Sequence, residues 1–355
     1  MKRHALISTP VNPRVAVTSV ALIGVGRMGR RHLQIVRDLG LRLVGMCDPN
    51  PEALGQAAKE FRISPEYQFT EFGTLMKKAK PECVIVATTA PTHSSSTCQA
   101  AEAGAKYILC EKPMAVSLAE CDRMIEVCKR RGARLAINHQ MRFMEQYTEP
   151  KRVVQSKAFG GLTSVTVVAG NFGLAMNGTH YFEMFRYMTD EKSLEVTAWF
   201  SNEKVPNPRG TQFEDRAGAV RITTAKGKRF YMDTGSDHGQ GVKVIYSGPY
   251  GQLVVDELAG TMNLSVREEK HRNLPTTSYG MPWVETVQKI APADSIGPSR
   301  AVLTSLLDDK NPPTGEEGRL AIAALVAAYV SDEKGHIPVR LDDSRLPLER
   351  TFPWP

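Results

Sequence analysis

The chain has 355 residues, of which 42% are hydrophobic and 23% charged, and carries a net charge of +7 at pH 7. That length supports two domains with sizeable cores, and the composition is ordinary for a globular protein in water. The positive excess is not gathered into a basic arm or basic helix, so nucleic acid is not expected as a partner, and a solvated surface or an anionic substrate remains. The six cysteines, Cys47, Cys83, Cys98, Cys110, Cys121 and Cys128, contain no C-x-x-C pair. They read as reduced thiols in a cytoplasmic protein, with neither a disulfide frame nor a metal site expected. Residues 1–16 read as an N-terminal extension without an apolar signal core. The longest apolar helical stretch, near Leu320 to Val330, is too short to span a bilayer, so no membrane partner is expected.

Val17–Ile23 reads as a buried strand that runs into Gly24-Val25-Gly26-Arg27-Met28-Gly29 and a helix over Met28–Leu39. G-x-G-x-x-G in a strand–turn–helix setting suits a dinucleotide: a tight turn, close backbone approach to a pyrophosphate, and helix N–H groups facing its charge. A second strand, Leu41–Cys47, ends at Asp48, nineteen positions beyond Gly29. There an acid reaches the ribose hydroxyls and, by repelling a 2′-phosphate, favours NAD over NADP. Further strands are expected at Cys83–Ala87, Tyr107–Cys110 and Arg134–Ile137. Helices are expected at Glu52–Phe61, Glu71–Lys78, Ser94–Ala103 and Leu118–Arg131. This alternation predicts βαβ units and a parallel sheet covered on both faces, with ligands beyond the carboxyl ends of its strands. The segments that follow those ends are Thr88-Thr89-Ala90-Pro91-Thr92-His93, Glu111-Lys112-Pro113 and Asn138-His139-Gln140-Met141-Arg142-Phe143. Pro113 restricts Lys112 to an extended backbone. Arg142 has the forked donors that hold a carboxylate or phosphate, though a structural salt bridge fits equally well.

The pattern changes after Pro150. A strand at Leu162–Ala169 and a helix from Gly178 to Met188 precede period-two stretches at Leu194–Phe200, Gly218–Thr224, Phe230–Thr234, Val242–Tyr246, Gln252–Val255 and Met262–Val266. These predict an open, mostly antiparallel sheet with one face on helices and the other free for a partner sheet. Helices are expected near Trp283–Ile290, Pro298–Leu307 and Gly315–Val330, the last packing back on the first domain. The expected class is therefore α/β plus α+β. A Rossmann domain over residues 17–143 is followed by an open, mostly antiparallel sheet domain over 144–355. Tyr147-x-x-x-Lys151 has the letters of a dehydrogenase dyad, but Pro150 interrupts it. Asn177-Gly178-Thr179 has the letters of a glycosylation site, with nothing pointing to secretion.

Together, Gly24-Val25-Gly26-Arg27-Met28-Gly29-Arg30-Arg31-His32, Asp48, Ala87-Thr88-Thr89-Ala90-Pro91-Thr92-His93, Cys110-Glu111-Lys112-Pro113, Arg142-Phe143 and Gly178-Thr179-His180 resemble the Gfo/Idh/MocA oxidoreductases. The resemblance covers Val17 to Phe143 strongly and the remainder in patches. It implies hydride transfer between NAD and a hydroxyl carbon of a sugar, cyclic polyol or sugar derivative, in a homodimer or homotetramer. It also implies a cofactor set of Gly24, Gly26, Arg27, Met28, Gly29, Asp48, Thr88, Thr89, His93, Glu111 and Lys112. Lys112 and His180 become the catalytic residues, and Lys112, Arg142, Asn177 and His180 the substrate contacts. A histidine can exchange the hydroxyl proton while an ammonium stabilises the developing alkoxide. One departure stands out. Family enzymes often carry an aspartate four positions before that histidine, where this chain has Met176. It keeps two alternatives open: an enzyme that recycles NAD within each cycle, epimerising or cleaving glycosides by transient oxidation, and an NAD-binding regulator without catalysis. Glu183 stands where a second family acid is common, and a charge on a helix surface explains it equally well.

Overall fold

The computed structural model describes residues 18–170, 172–204, 207, 209–276, 282–291 and 293–355, with the side chains of 203 and 204 outside that description. The expected extension and the start of the first strand lie outside the described residues. The chain divides into two compact units that interleave along the sequence. One runs up to Glu111 and includes Arg123–Asn138 and Ser299–Gly315. The other comprises Lys112–Asp122, His139–Pro298 and Glu316–Pro355.

The first unit is built on six described strands: β1 Ser19–Ile23, β2 Arg42–Cys47, β3 Gln68–Phe69, β4 Cys83–Val86, β5 Tyr107–Cys110 and β6 Arg134–Ile137. They pair in parallel in the order β3-β2-β1-β4-β5-β6. Between them run α1 Arg27–Asp38, α2 Pro51–Phe61, α3 Phe72–Ala79, α4 His93–Glu102 and α5 Leu118–Arg131. The strand order turns back at β1 and β4, the switch point where such sheets bind ligands. Every residue of β1 and β4 is buried, which is why both read as unbroken apolar runs. Asn50 starts α2 by accepting from Glu52 N at 2.9 Å and Ala53 N at 3.2 Å, with Pro51 at the first helical position.

The second unit carries nine described strands: β7 Ser164–Ala169, β8 Ser193–Lys204, β9 Arg216–Thr224, β10 Arg229–Thr234, β11 Lys243–Ser247, β12 Gly251–Asp256, β13 Thr261–Arg267, β14 Trp283–Lys289 and β15 Val339–Arg340. Their order is β14-β13-β12-β11-β7-β10-β9-β8-β15. All pairs are antiparallel except β7 with β10. Alternate residues, among them Val165, Val167, Val220, Ile222, Phe230 and Met232, point to the buried face. There Phe182 and Phe185 of α7 (Thr179–Thr189) pack on Phe230, with ring centres 6.0 and 5.4 Å away. Three further helices are α6 Glu145–Val154, α8 Ile296–Asp308 and α9 Gly315–Glu333.

Two local expectations change. Trp283–Lys289 is a strand, not a helix: it pairs antiparallel with β13 at the sheet edge and is exposed on both faces. Its Val284, Thr286 and Val287 are β-branched and suit that edge. Pro150 lies inside α6 rather than ending a helix, at the cost of a single intrahelical N–H donor.

Candidate active site

In the first unit, β1 ends on Gly24, whose φ of +87° a side chain would strain. A Cβ there would also lie 2.7 Å from the Ala87 carbonyl oxygen and 2.9 Å from Thr88 N, so the turn closes on the end of β4 only with glycine. Gly29 has a different duty, since a Cβ on it would run into the Gly24 carbonyl as α1 packs on the turn. At Gly26 a Cβ would meet nothing within 4 Å, leaving open space directly in front of α1. That helix begins at Arg27 with no side-chain cap and no acid in its first turn, so its leading N–H groups remain available to an anion. Gly26 and Arg27 are exposed and Met28 is half-buried.

Asp48, at the end of β2, accepts Val25 N at 2.9 Å on one oxygen and Asn50 N at 2.9 Å on the other. Both bonds aim the carboxylate at the glycine turn and leave lone pairs for a diol. Thr88 and Thr89 follow β4 and are half-buried. The Thr92 hydroxyl lies 2.8 Å from Thr88 Oγ1 and 3.0 Å from the Thr89 carbonyl. His93 is buried, with Nε2 3.2 Å from the Thr88 carbonyl, and so braces the loop from within. These residues fit a dinucleotide: a cradle free of Cβ atoms, an uncapped helix start and an oriented carboxylate. Glu111 is placed differently from its expected role as a cofactor contact. It is buried at 3% exposure, and Oε1 lies 2.8 Å from His32 Nε2 while accepting from Asn138 Nδ2 at 2.8 Å. A carboxylate committed to two buried partners braces the nucleotide domain. Asn138 donates as well to Ser299 Oγ at 3.2 Å. Sequence reading did not single out His32 or Asn138 as parts of that brace.

In the second unit, Lys112 Nζ donates to the carbonyl oxygen of Met176. Met176 lies in a wide turn, Leu174–Gly178, from which α7 starts at Thr179, and Asn177 is half-buried in the same turn. The second residue of α7 is His180, 6% exposed, and its Nδ1 finds no hydrogen-bond partner among the described residues. The His139 ring meets it edge-on with centres 5.7 Å apart. Burial, then the Lys112 charge and His139, hold His180 well below the ordinary histidine range, so its imidazole is neutral at pH 7. Lys112 and His180 are thus brought together. Arg142 is not part of that group. Its guanidinium bonds to Glu183 and, at 2.6 Å, to Glu317, while Arg186 holds Glu317 at 2.8 Å and Glu183 at 3.1 Å. Arg142 is 8% exposed and Glu183 3% exposed. Of the two roles open to Arg142, the geometry supplies the salt bridge, and Glu183 is a buried counter-ion rather than a surface charge. Tyr147, set aside as half of a dyad, donates to Glu257 at 2.6 Å, and Tyr181 donates to the same carboxylate at 3.0 Å.

The switch-point turn and its oriented acid define a dinucleotide-binding domain. Residues 18–139 match the family model GFO_IDH_MocA, described as an oxidoreductase family with an NAD-binding Rossmann fold. Across its length the chain is similar to D-apiose dehydrogenase of Paraburkholderia graminis, with 27% identity over 341 residues, covering 89% of this chain and 88% of that protein. It is 23% identical over 247 residues to inositol 2-dehydrogenase of Salmonella typhimurium, covering 69% and 72% of the two chains. In fold it is similar to an oxidoreductase from Agrobacterium radiobacter solved with NAD+, L-tartaric acid and magnesium. That match has a TM-score of 0.76 at 18% identity, over 91% of this chain and 98% of the other.

Proposed function

We propose that this chain is an NAD(H)-dependent oxidoreductase transferring hydride to or from a hydroxyl carbon of a sugar, cyclic polyol or sugar derivative, with Lys112 and His180 as its catalytic residues. The observation that carries the reading is the buried, neutral His180 beside the Lys112 ammonium, in a chain whose first unit has a dinucleotide-binding design. Gly24, Gly26, Arg27, Met28, Gly29, Asp48, Thr88 and Thr89 would hold the cofactor, with His93 and Glu111 behind them. Bound NAD supplies the hydride acceptor. His180, neutral and without a partner on Nδ1 among the described residues, accepts the hydroxyl proton. The Lys112 ammonium, pinned by the Met176 carbonyl, holds the oxygen as its negative charge develops. Asn177 lies in the turn and offers both donors and acceptors to neighbouring hydroxyls. The substrate class is supported by the dehydrogenases named above.

The described cysteines are all free thiols, which supports a cytoplasmic location. No described helix is long and apolar enough to cross a membrane. The outer face of the second sheet, with Trp199 46% and Tyr231 37% exposed, supports assembly as a homodimer or homotetramer. The test of function is NAD reduction across a panel of polyols, sugars, sugar acids and sugar nucleotides, with Lys112→Ala alongside. We expect a hit that Lys112→Ala abolishes while NAD affinity stays within a few-fold. A hit that survives Lys112→Ala, or silence across the panel with NAD bound, overturns the reading.

A further inference from the structure

Asp215, at the entry to β9, lies in the second unit far in sequence from the family's marks. It is 0% exposed. Its Oδ1 accepts from Ala175 N at 2.8 Å and Arg216 N at 3.0 Å, and its Oδ2 from Met176 N at 2.9 Å. Met176 is therefore gripped on both sides of its backbone, its N–H by Asp215 and its carbonyl by Lys112. Room for the carboxylate comes from Gly173, where a Cβ would collide with it. The C-terminal segment ties both sides down: Pro353 accepts from Glu214 N at 2.8 Å, and Phe352 N donates to the Val116 carbonyl at 2.9 Å. Asp215 and Lys112 thus meet at one residue, Met176, on the two successive peptide groups that flank its Cα, and the same C-terminal strap ties down the chain beside each.

We propose that Asp215 is a positioning residue of the Lys112 site: its carboxylate fixes the 174–178 turn through two backbone N–H groups and supplies the counter-charge that keeps Lys112 an ammonium. The inference rests on the function proposed above, for which Lys112 must carry its charge beside His180. It also answers the departure at position 176. The acid absent from the turn itself arrives from β9 and acts on the lysine instead of the histidine. The charge state agrees with this geometry. Burial pushes Asp215 up to about 6, the three backbone N–H groups and Lys112 pull it down, and the carboxylate is ionised at neutral pH. The other charged or titratable groups around the site are Tyr329 of α9, raised by burial and then by Asp215, Glu214 and Arg216 on either side of Asp215 in the chain, and His180 and His139 facing Lys112. Arg216 is taken by the Ser201 carbonyl at 3.0 Å, which leaves Lys112 as the cation that Asp215 acts on.

The experiment follows the Lys112 ammonium by nitrogen-15 NMR of the full chain with bound NAD, assigned with Lys112→Arg. In Asp215→Asn we expect the Lys112 titration midpoint to fall by about one unit or more, with kcat/KM at pH 8 down at least tenfold on whichever substrate the panel identifies. The wild-type Lys112 signal also registers Asp215 charging as an inflection near pH 6, absent from the variant. Gly173→Ala, which crowds the carboxylate from outside, should shift the Lys112 midpoint in the same direction. A folded Asp215→Asn whose Lys112 titrates as in wild type overturns the proposal, because a merely structural turn-holder would not move that midpoint. Should neither variant fold, a flat wild-type Lys112 signal between pH 5 and 7 overturns it, and an inflection supports it. A shifted midpoint with a silent substrate panel supports the Asp215–Lys112 coupling and overturns the dehydrogenase reading. Lys112-dependent turnover with an unmoved midpoint does the reverse.

Discussion

Two alanine substitutions in one motif should fail in different ways. Gly24→Ala places a side chain at φ +87° and brings its Cβ to 2.7 Å from a carbonyl oxygen and 2.9 Å from an amide nitrogen of the adjoining strand end. The left-handed backbone costs an L-residue about 1–2 kcal/mol, and crowding a packed backbone typically adds about 1–3 kcal/mol. Gly24→Ala should therefore lower unfolding free energy by about 2–5 kcal/mol before any ligand is considered. Gly26 has φ −65° and open space where its Cβ would go. Gly26→Ala should leave the stability of the free protein within about 0.5 kcal/mol. Its cost appears only when a pyrophosphate needs that space, as a loss of NAD affinity of tenfold or more, about 1.4 kcal/mol. Thermal unfolding with and without NAD separates the two, because saturating ligand at a hundred times Kd stabilises by about 2.7 kcal/mol. Gly24→Ala should start low. Gly26→Ala should start at the wild-type Tm and lose about half or more of the NAD-dependent rise. If Gly26→Ala binds NAD as wild type does, or destabilises the free protein as Gly24→Ala does, the assignment of the open space to the cofactor is wrong.

Asp48→Ala removes the carboxylate braced by Val25 and Asn50, and should weaken NAD at least tenfold more than NADP by calorimetric titration. Equal losses would refute the discriminating role. Arg142→Ala takes one of two arginines away from Glu183 and Glu317, and breaking such a buried network should cost about 3 kcal/mol in urea unfolding. KM for the substrate should stay within about twofold, whereas a KM rise without loss of stability would restore Arg142 as a substrate contact. Asp215 also makes a signed pH prediction. Its pKa rises from an ordinary 3.8 to about 6 on folding, so the native state binds the proton more tightly, and stability is lost as pH climbs between those values. The wild type should lose about 2 kcal/mol relative to Asp215→Asn between pH 4 and 7, measured as the difference in unfolding free energy. A difference that stays level across that range would refute the shift.

What could be read from the sequence had its partners close by in the chain. The three glycines, the strand they follow and Asp48 at the next strand end fall within thirty residues, and their spacing alone implies a turn, a helix start and a nearby acid. Trp283–Ile290 reads as a helix because Trp283, Val287 and Ile290 fit a helical spacing. Its pairing with β13, a contact of the sheet rather than of the local pattern, decides for a strand. β3 is two residues long, too short for any periodicity. Arg142 could be seen as a forked donor but not as a buried one, since its acids lie 41 and 175 positions away.

Asp215 lies furthest out of reach. Around it, Phe213-Glu214-Asp215-Arg216 reads as a polar strand entry, and nothing nearby requires a buried charge. Its place depends on a missing side chain at Gly173, two amides of a turn some forty residues upstream, and a lysine a hundred residues upstream. The same distance explains why the motif around His180 looked deficient when read alone. An acid four positions before a histidine can be seen because it occupies the next turn of the same helix, but an acid delivered by a strand leaves no such spacing. Where a local motif lacks an acid, the place to look is therefore the buried carboxylates whose bonds end on that motif's backbone. In the second unit Glu183 is neutralised by arginines and Glu257 is capped by tyrosine hydroxyls, while Asp215 ends on the turn that Lys112 holds.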